Sequence, residues 1–423
     1  MRSKLIAVAI AAGLGLTSVA ASAAPAQRAP AQSRTAAANN GEIEQLKAQL
    51  AALQSKVDEL EQRTDAQSEI NVSTGQAVEK ATNVTAASDK KLAALSKAIN
   101  NTTLSGKMFF DFTSIDDKNS DKGKSDKSGI GMDVKRFYLG IDHQFNDIWS
   151  ANLTTDFNYV SNDGQTNLFV KKAYVQGKFD QAAVFRIGSS DLPWIPFVEK
   201  YYGFRYVENV LTDRLKYGTS ADWGLHLGGD IGASKSLNYA VSVVNGNGYK
   251  NPGRSKGVDF EGRVGFVPFE NMIVAVGGYS GHRGQETENI DAQHTATRGD
   301  FMVAYASKDF RVGAEYFTAK NWNNVRTLSS DKADGYSLWG SVAVADNVNI
   351  FARYDNAKLS KSLDRDAKDS YYNAGVEYQV TKGFKLAGVW KHGKVEKSVT
   401  TPVPPHVQNT KTNEIGVFGE VSF

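Results

Sequence analysis

Residues 148–160 read IWSANLTTDFNYV, and within this stretch apolar and polar side chains alternate at a period of two. One face carries Trp149 and Leu153, whereas the other face carries Asn152 and Asp156. Successive side chains of a β-strand point to opposite sides of the sheet, so the alternation predicts a strand with one apolar and one polar face.

The same alternation continues to the end of the chain. In the closing segment, 411–423, Ile415 and Val421 share one face while Glu414 and Glu420 share the other. Such segments have about 9 to 13 residues, the length of a tilted strand that crosses a bilayer. Sixteen strands are predicted, near 106–115, 132–145, 148–160, 167–179, 183–190, 221–232, 237–248, 258–269, 272–281, 297–307, 310–321, 334–345, 348–359, 369–380, 384–396 and 411–423.

The predicted connections alternate between tight turns, such as 146–147 and 270–271, and long loops, such as 191–220 and 282–296. A soluble β-sandwich has no reason to place all tight turns at one end and all long loops at the other. Outer-membrane barrels have short periplasmic turns and long outer loops. We therefore predict an all-β fold over 104–423, a transmembrane antiparallel β-barrel of about 16 strands.

Composition agrees with such a barrel and excludes several other classes of protein. The 423 residues have a net charge of +3, which argues against a nucleic-acid binder. Cysteine is absent, which excludes thiol catalysis and disulfides, and the six histidines show no metal-ligand spacing. No catalytic residue, metal or cofactor is therefore predicted. The mean hydropathy of −0.39 looks soluble, because the polar face of each strand offsets the apolar face.

The N-terminus resembles an export signal. Arg2 and Lys4 precede an apolar run, and a small-residue cleavage pattern ends at Ala23. This arrangement predicts a signal peptide over 1–23, and the Ala/Pro/Gln composition of 24–40 predicts a flexible linker. Export of a chain without cysteine fits a bacterial envelope.

A short periplasmic coiled-coil helix is predicted within 41–103. Apolar residues recur at steps of three and four from Ile43 to Leu60, the seam of about three heptads. The pattern ends at Thr64, and a weaker apolar pattern of the same kind begins at Leu92. Either the helix packs on its own domain or it self-associates. The narrow seam favours self-association, but the seam alone does not fix the number of chains.

A barrel of sixteen strands encloses an aqueous channel. The longest loop, 191–220, is rich in aromatic residues, and we expect it to fold into the barrel and narrow the pore. Its charges are nearly balanced, so passage would depend on local fields. The candidate constriction residues are Glu199, Arg205, Glu208, Asp213 and Arg214.

Cationic residues also lie on the polar face of the predicted strands. Inside a lumen, such residues attract anions. The same polar face also carries carboxylates, among them Asp156, Glu261, Glu315 and Glu420. Two interpretations therefore stay open: an anion-binding track, or ion pairs that stabilise the wall. The candidate pore-lining and anion-binding residues are Arg136, Lys172, Arg186, Arg263, Arg311, Arg353 and Lys385.

Four stretches carry a resemblance to a known family: GKMFFDF (106–112), VKRFYLGIDHQF (134–145), KKAYVQGKF (171–179) and RIGSSDLPWIPF (186–197). With the signal peptide and coiled coil, they resemble the phosphate-selective porin O/P family. The resemblance implies a homotrimer of sixteen-stranded porins in the outer membrane of a Gram-negative bacterium. It also implies a preference for anions, since some members carry phosphate or polyphosphate.

The predicted function is therefore an outer-membrane porin: a water-filled diffusion channel for small hydrophilic solutes, with a preference for anions such as phosphate. Its partners would be membrane lipid, two further copies and the solutes, and the coiled coil could contact the cell wall. No enzymatic activity is predicted. The alternative is a structural or adhesive outer-membrane barrel that anchors surface loops, although loops of this length favour a pore.

Overall fold

The computed structural model describes residues 37–158, 166–232, 234–401 and 404–423. The predicted signal peptide and most of the predicted linker lie outside the described residues. The chain divides into two units between Lys91 and Leu92.

The first helix, α1, is longer than the sequence predicts. It runs without interruption from Ala37 to Asn100 and has 64 residues, so the end of the predicted linker is helical. At Thr64 the residues of the heptad seam change from apolar to polar, but the helix itself continues. Within the described residues, no helix combines the length and apolar character needed to cross a membrane.

The seam of α1 is exposed in the single chain. The side chains of Ile43, Leu50 and Leu60 are all exposed to solvent, with Leu50 at 61 %. Because the helix is continuous, the second set of apolar residues, which begins at Leu92, occupies the same heptad positions as the set that begins at Ile43. The helix thus carries apolar seam residues at both ends and polar ones, such as Thr64, between them.

The sheet is a closed antiparallel barrel. Its wall consists of sixteen of the described strands, whereas the two-residue strand β2 lies within the first long loop. The predicted strand number is confirmed, and each wall strand overlaps its predicted segment. The strands are β1 Thr102–Asn119, β2 Gly123–Lys124, β3 Gly129–Gln144, β4 Trp149–Asn158, β5 Asn167–Lys178, β6 Val184–Asp191, β7 Ala221–Ile231, β8 Leu237–Val244, β9 Asp259–Phe266, β10 Met272–Gly281, β11 Ala296–Ala306, β12 Phe310–Lys320, β13 Lys332–Ala345, β14 Val348–Lys358, β15 Lys368–Thr381, β16 Phe384–Val399 and β17 His406–Ser422.

The last strand closes the barrel on the first. β17 pairs with β1 from Lys107 opposite Ser422 to Asn119 opposite Thr410. A closed sheet has no unpaired edge, so every strand of the wall can satisfy its backbone groups within a bilayer.

Exposure alternates along the strands as the period of two predicts. In β14, Ile350 and Tyr354 are exposed, whereas Phe351 and Arg353 are buried. The apolar outer face therefore meets lipid, and the polar residues point inward. Aromatic residues such as Phe179 are exposed beside the short turns, where an interfacial girdle belongs.

Candidate pore and constriction

The long segment between β6 and β7, residues 192–220, lies inside the barrel, and we call it the constriction loop. Its helix α2, Ile195–Tyr202, has a proline in its first turn, where the missing N–H costs no hydrogen bond. It ends at Gly203, whose φ of 82° is the left-handed conformation that favours glycine at a helix C-terminus. A single turn, α3, follows at Leu211–Arg214. Apolar loop residues, among them Trp194 and Val207, are fully buried.

Arginines of the barrel wall hold the backbone of the constriction loop. They come from β9, β11, β12 and β14, and each donates to a loop carbonyl. Hydrogen bonds from a charged donor are stronger than those from a neutral one, so the contacts fix the loop against this side of the barrel. The bonds join Arg263 Nε to Pro193 O at 3.0 Å, Arg298 Nη1 to Tyr217 O at 2.6 Å, Arg311 Nη1 to Tyr201 O at 3.2 Å, and Arg353 Nη1 to Asn209 O at 2.6 Å.

Carboxylates of the same wall bind the polar side chains of the loop. The indole Nε1 of Trp194 donates to Glu315 Oε1 at 2.9 Å, and the hydroxyl of Tyr206 donates to Glu377 Oε2 at 2.7 Å. Arg214 donates to Asp355 Oδ2 at 2.9 Å and also pairs with Asp369. The constriction loop therefore packs against the side of the barrel from β9 to β15.

The open space lies on the opposite side. A chamber of about 540 Å³ separates the loop from β1, β3 to β6, β16 and β17. Its described lining carries more cationic groups than carboxylates. The cationic residues are Lys107, Lys171, Lys172, Lys200, Arg205 and Lys385, and the carboxylates are Asp142, Asp191, Glu199 and Glu420.

Three of the carboxylates are engaged by cations of the chamber itself. Asp191 pairs with Lys172, Glu199 pairs with Arg205, and Glu420 lies 4.0 Å from Lys385. Among the described residues, no carboxylate lies within ion-pair distance of Lys107, Lys171 or Lys200. These three ammonium groups are the strongest candidates for contact with a passing anion.

Two β-bulges place additional cations inside the barrel. Opposite Thr154 and Thr155 of β4, the register of β5 skips Lys171, so Lys171 and its neighbour Lys172 both line the chamber. Lys171 lies 4.6 Å from the ring centroid of Tyr138. A bulge opposes two residues to one, which suspends the alternation at that point.

The bulge in β3 has the same effect. Between Phe109 and Phe110 of β1, the register skips Lys135 of β3. The ammonium of Lys135 lies 3.0 Å from Asp111 Oδ2 and 3.3 Å from Val207 O of the constriction loop, so it points inward like its neighbour Arg136. Strict alternation misses Lys135 and Lys171, but the dipeptides Lys-Arg and Lys-Lys within strands are a signal that could have found them.

The predicted pore-lining residues fall into separate groups. Lys172 and Lys385 line the chamber. Arg263, Arg311 and Arg353 lie against the constriction loop. The remaining two make contacts within the wall: Arg136 lies 3.5 Å from Asp156 Oδ2, and Arg186 donates to Gln176 Oε1 at 2.8 Å.

The predicted constriction residues form two clusters. Arg205 pairs with Glu199 and lies 3.5 Å from Asp213 Oδ2, next to the chamber. Arg214 and Glu208 face the wall: the Oε2 of Glu208 lies 3.5 Å from Lys391 Nζ. Their role in permeation remains a prediction.

Burial and charge act in opposite directions on the loop carboxylates. Burial alone would raise the pKa of Glu208, but Lys391, Lys135 and Arg214 outweigh it and lower that pKa to about 2. For Asp213, burial prevails over the attraction of Arg205 and raises the pKa of the carboxyl above its usual value. At acidic pH, Asp213 therefore takes up its proton before Glu208 does.

The closed barrel of sixteen described strands, with a loop folded into its lumen, has the fold of an outer-membrane porin. More particularly, residues 103–197 match the model of the family described as phosphate-selective porin O and P. The match confirms, for this segment, the family predicted from the sequence. It also confirms the predicted class of protein and its location.

Solved structures support the fold. The outer-membrane channel DcaP of Acinetobacter baumannii is 12 % identical with a TM-score of 0.55, covering 76 % of this chain and 97 % of its own. An anion-selective porin from Comamonas acidovorans is 13 % identical with a TM-score of 0.51, covering 76 % and 99 %. OmpF of Salmonella typhi, solved with daunomycin, is 12 % identical with a TM-score of 0.52, covering 76 % and 97 %. No curated protein sequence matches the chain.

Proposed function

We propose that this porin is a diffusion channel for small hydrophilic solutes that prefers anions, phosphate among them. The observation that carries the proposal is the chamber, where Lys107, Lys171 and Lys200 face the open space without a carboxylate partner among the described residues. Cationic side chains at a narrow point raise the local concentration of anions and oppose the entry of cations.

Pairing in the rest of the lumen supports the same assignment. Carboxylates of the opposite wall, such as Glu261, Asp300 and Asp355, are engaged by Arg298 and Arg353. They therefore contribute little field to the open side of the lumen. The family match at 103–197 and the anion selectivity of the Comamonas acidovorans porin agree with this preference.

Ion selectivity of the reconstituted full chain tests the proposal. In a planar bilayer under a KCl gradient, the reversal potential is expected to show that chloride is more permeant than potassium. The triple variant K107Q/K171Q/K200Q should lose most of that preference. The matched control is K122Q, a change at an exposed lysine of the first outer loop. A cation-selective wild-type channel, or a triple variant with unchanged selectivity, would refute the proposal.

Phosphate is tested separately in the same membrane. If phosphate binds in the chamber, millimolar phosphate added to KCl should reduce the chloride current of the wild type. The triple variant should lose this block. If the channel prefers chloride but phosphate does not reduce the current, the protein is a general anion channel. The phosphate part of the proposal would then be wrong.

We also propose that α1 joins copies of the chain as a coiled coil, with a homotrimer as the assembly that the family resemblance implies. The exposed seam supports self-association, since a long helix with exposed leucines gains its stability from packing. A periplasmic location of α1 and a contact with the cell wall stay predictions. The mass of the purified full chain in detergent, measured by light scattering, distinguishes a trimer from other states.

A further inference from the structure

A repeated pattern lies on the outer face of six consecutive strands, β12 to β17. Toward the long-loop end, each strand carries an aromatic or aliphatic residue, then a polar residue two positions on, then a lysine after two more. The six sets are Tyr316, Thr318 and Lys320; Tyr336, Asp334 and Lys332; Tyr354, Asn356 and Lys358; Tyr372, Ser370 and Lys368; Trp390, His392 and Lys394; and Ile415, Asn413 and Lys411. We call the six lysines the lysine belt.

The belt faces outward and not into the lumen. Lys332 and Lys358 are exposed, whereas their neighbours Ala333 and Ala357 are buried inside the barrel. Lys368 is likewise exposed beside the buried Asp369. The belt is therefore separate from the chamber and plays no part in the proposed anion pathway.

The register places these lysines directly opposite one another. The Cα partners in adjacent strands are Lys320 with Lys332, Lys358 with Lys368, and Lys394 with Lys411. Like charges in directly opposed positions of a sheet are destabilising. Three such pairs on consecutive hairpins concentrate positive charge on this face of the barrel.

The protein itself supplies some compensating negative charge, since the register also places Asp334 opposite Lys358 and Glu396 opposite Lys368. Lys394 pairs with Glu396 at 2.6 Å, and Asp334 pairs with Lys361, which lies outside the belt. Among the described residues, the other five belt lysines form no ion pair. Their ammonium groups are thus available to an anionic partner.

The height of the belt identifies that partner. Tyrosine and tryptophan on a lipid-facing surface lie at the level of the lipid headgroups. A lysine four residues further along a strand is roughly 13 Å away, or about 10 Å along the membrane normal for a strand tilted by about 40°. This height corresponds to the outer headgroup layer, on the side of the long loops.

We propose that the lysine belt binds the phosphate groups of outer-leaflet lipid. Each lysine pair offers two ammonium groups to a phosphorylated headgroup while the aromatic residues contact its acyl chains. Bound lipid phosphates would neutralise the repulsion within the pairs. The site takes lipid phosphate rather than free phosphate, because the apolar surface below it fits acyl chains.

Lipid binding by the full chain in detergent tests the proposal, with diphosphorylated lipid A as the probe and native mass spectrometry as the readout. The variant K320Q/K332Q/K358Q/K368Q is expected to lose roughly a hundredfold in affinity, because each lysine near an anionic lipid surface contributes several-fold. The variant with arginine at the same four positions should bind like the wild type. The matched control, K122Q/K127Q/K178Q/K235Q, removes four exposed lysines outside the belt and should bind normally.

Three outcomes would overturn the proposal. The first is equal binding of lipid A by the glutamine variant and the wild type. The second is equal binding of dephosphorylated lipid A by the wild type, since the acyl chains would then suffice. The third is displacement of lipid A by an equal concentration of inorganic phosphate. The glutamine variant should keep the heat-modifiable gel migration and the conductance of a folded barrel, which separates lost binding from failure to fold.

Discussion

The ring of Phe423 lies directly over Gly106 of the first strand. The two residues exchange backbone hydrogen bonds of 3.0 Å in both directions. A Cβ atom at position 106 would overlap the Cζ of the ring. The C-terminal aromatic residue therefore lies over the seam between the first and last strands, where any side chain at position 106 would have to move its ring.

The substitution Gly106→Val should impair barrel closure. The new side chain must displace the ring, and overpacking of this kind typically costs about 1–3 kcal/mol. We expect the unfolding midpoint in urea to fall and the yield of heat-modifiable barrel on gels to decrease. The matched control is Gly388→Val in β16, where the Cβ meets no atom within 4 Å. Equal loss in both variants would point to the general cost of changing a strand glycine.

The contact between Arg353 and the constriction loop gives a second prediction. Arg353 is buried, pairs with Asp355 at 2.7 Å and donates to Asn209 O at 2.6 Å. Substitution by glutamine leaves part of the Asp355 charge uncompensated, which typically costs about 3–5 kcal/mol in a buried pair. We expect lower stability and a mobile loop, seen as larger current noise in single-channel recordings.

A double substitution separates the two contributions of Arg353. In R353Q/D355N no buried carboxylate is left without an arginine, and Arg214 keeps its ion pair with Asp369, so part of the stability should return. The hydrogen bond to Asn209 O remains lost, so the current noise should persist. Recovery of both properties would show that the arginine acts through Asp355 alone.

The pKa values of the loop carboxylates predict how selectivity depends on pH. Burial raises the pKa of Asp213, whereas nearby cations lower that of Glu208 to about 2. As the pH falls from 7 toward 4, Asp213 loses its negative charge first while Glu208 keeps its own. The loop then becomes more positive, so the ratio of chloride to potassium permeability should rise.

Two variants test whether Asp213 causes this pH dependence. D213N should show the higher chloride preference already at pH 7 and a smaller change on acidification. E208Q should retain the change, because Glu208 stays ionised over that range. Reversal potentials measured at several pH values provide the comparison, and a D213N channel that responds like the wild type would contradict the assignment.

The wall of the barrel could be predicted from the sequence because a period of two is a local property. Trp149 and Asp156 reveal their faces through their immediate neighbours. The chamber could not be predicted in the same way. Lys171 reaches it only because a bulge suspends the alternation, and Arg353 meets the loop through a contact with Asn209, 144 positions earlier. Such contacts depend on register and loop packing, which periodicity does not encode.

The length of α1 was also underestimated for a physical reason. The sequence shows apolar seam residues up to Leu60 and again from Leu92, and the polar residues between them look like an end. Polar residues such as Thr64 are compatible with a helix, and they lower the hydrophobic content of the seam without interrupting it. A coiled coil with a polar middle is less stable but better defined in register.

The exposed seam gives the last prediction. Replacing Leu50 and Leu53 by aspartate places charges in the seam of each chain, so a coiled coil of α1 should dissociate. The measurement is chemical cross-linking of the full chain through α1 lysines such as Lys47. The control is aspartate at Ala48 and Ser55, two exposed helix positions outside the seam. Cross-linking should fall in the leucine variant and persist in the control, while the barrel keeps its heat-modifiable migration. Unchanged cross-linking in the leucine variant would exclude the seam as the contact between copies.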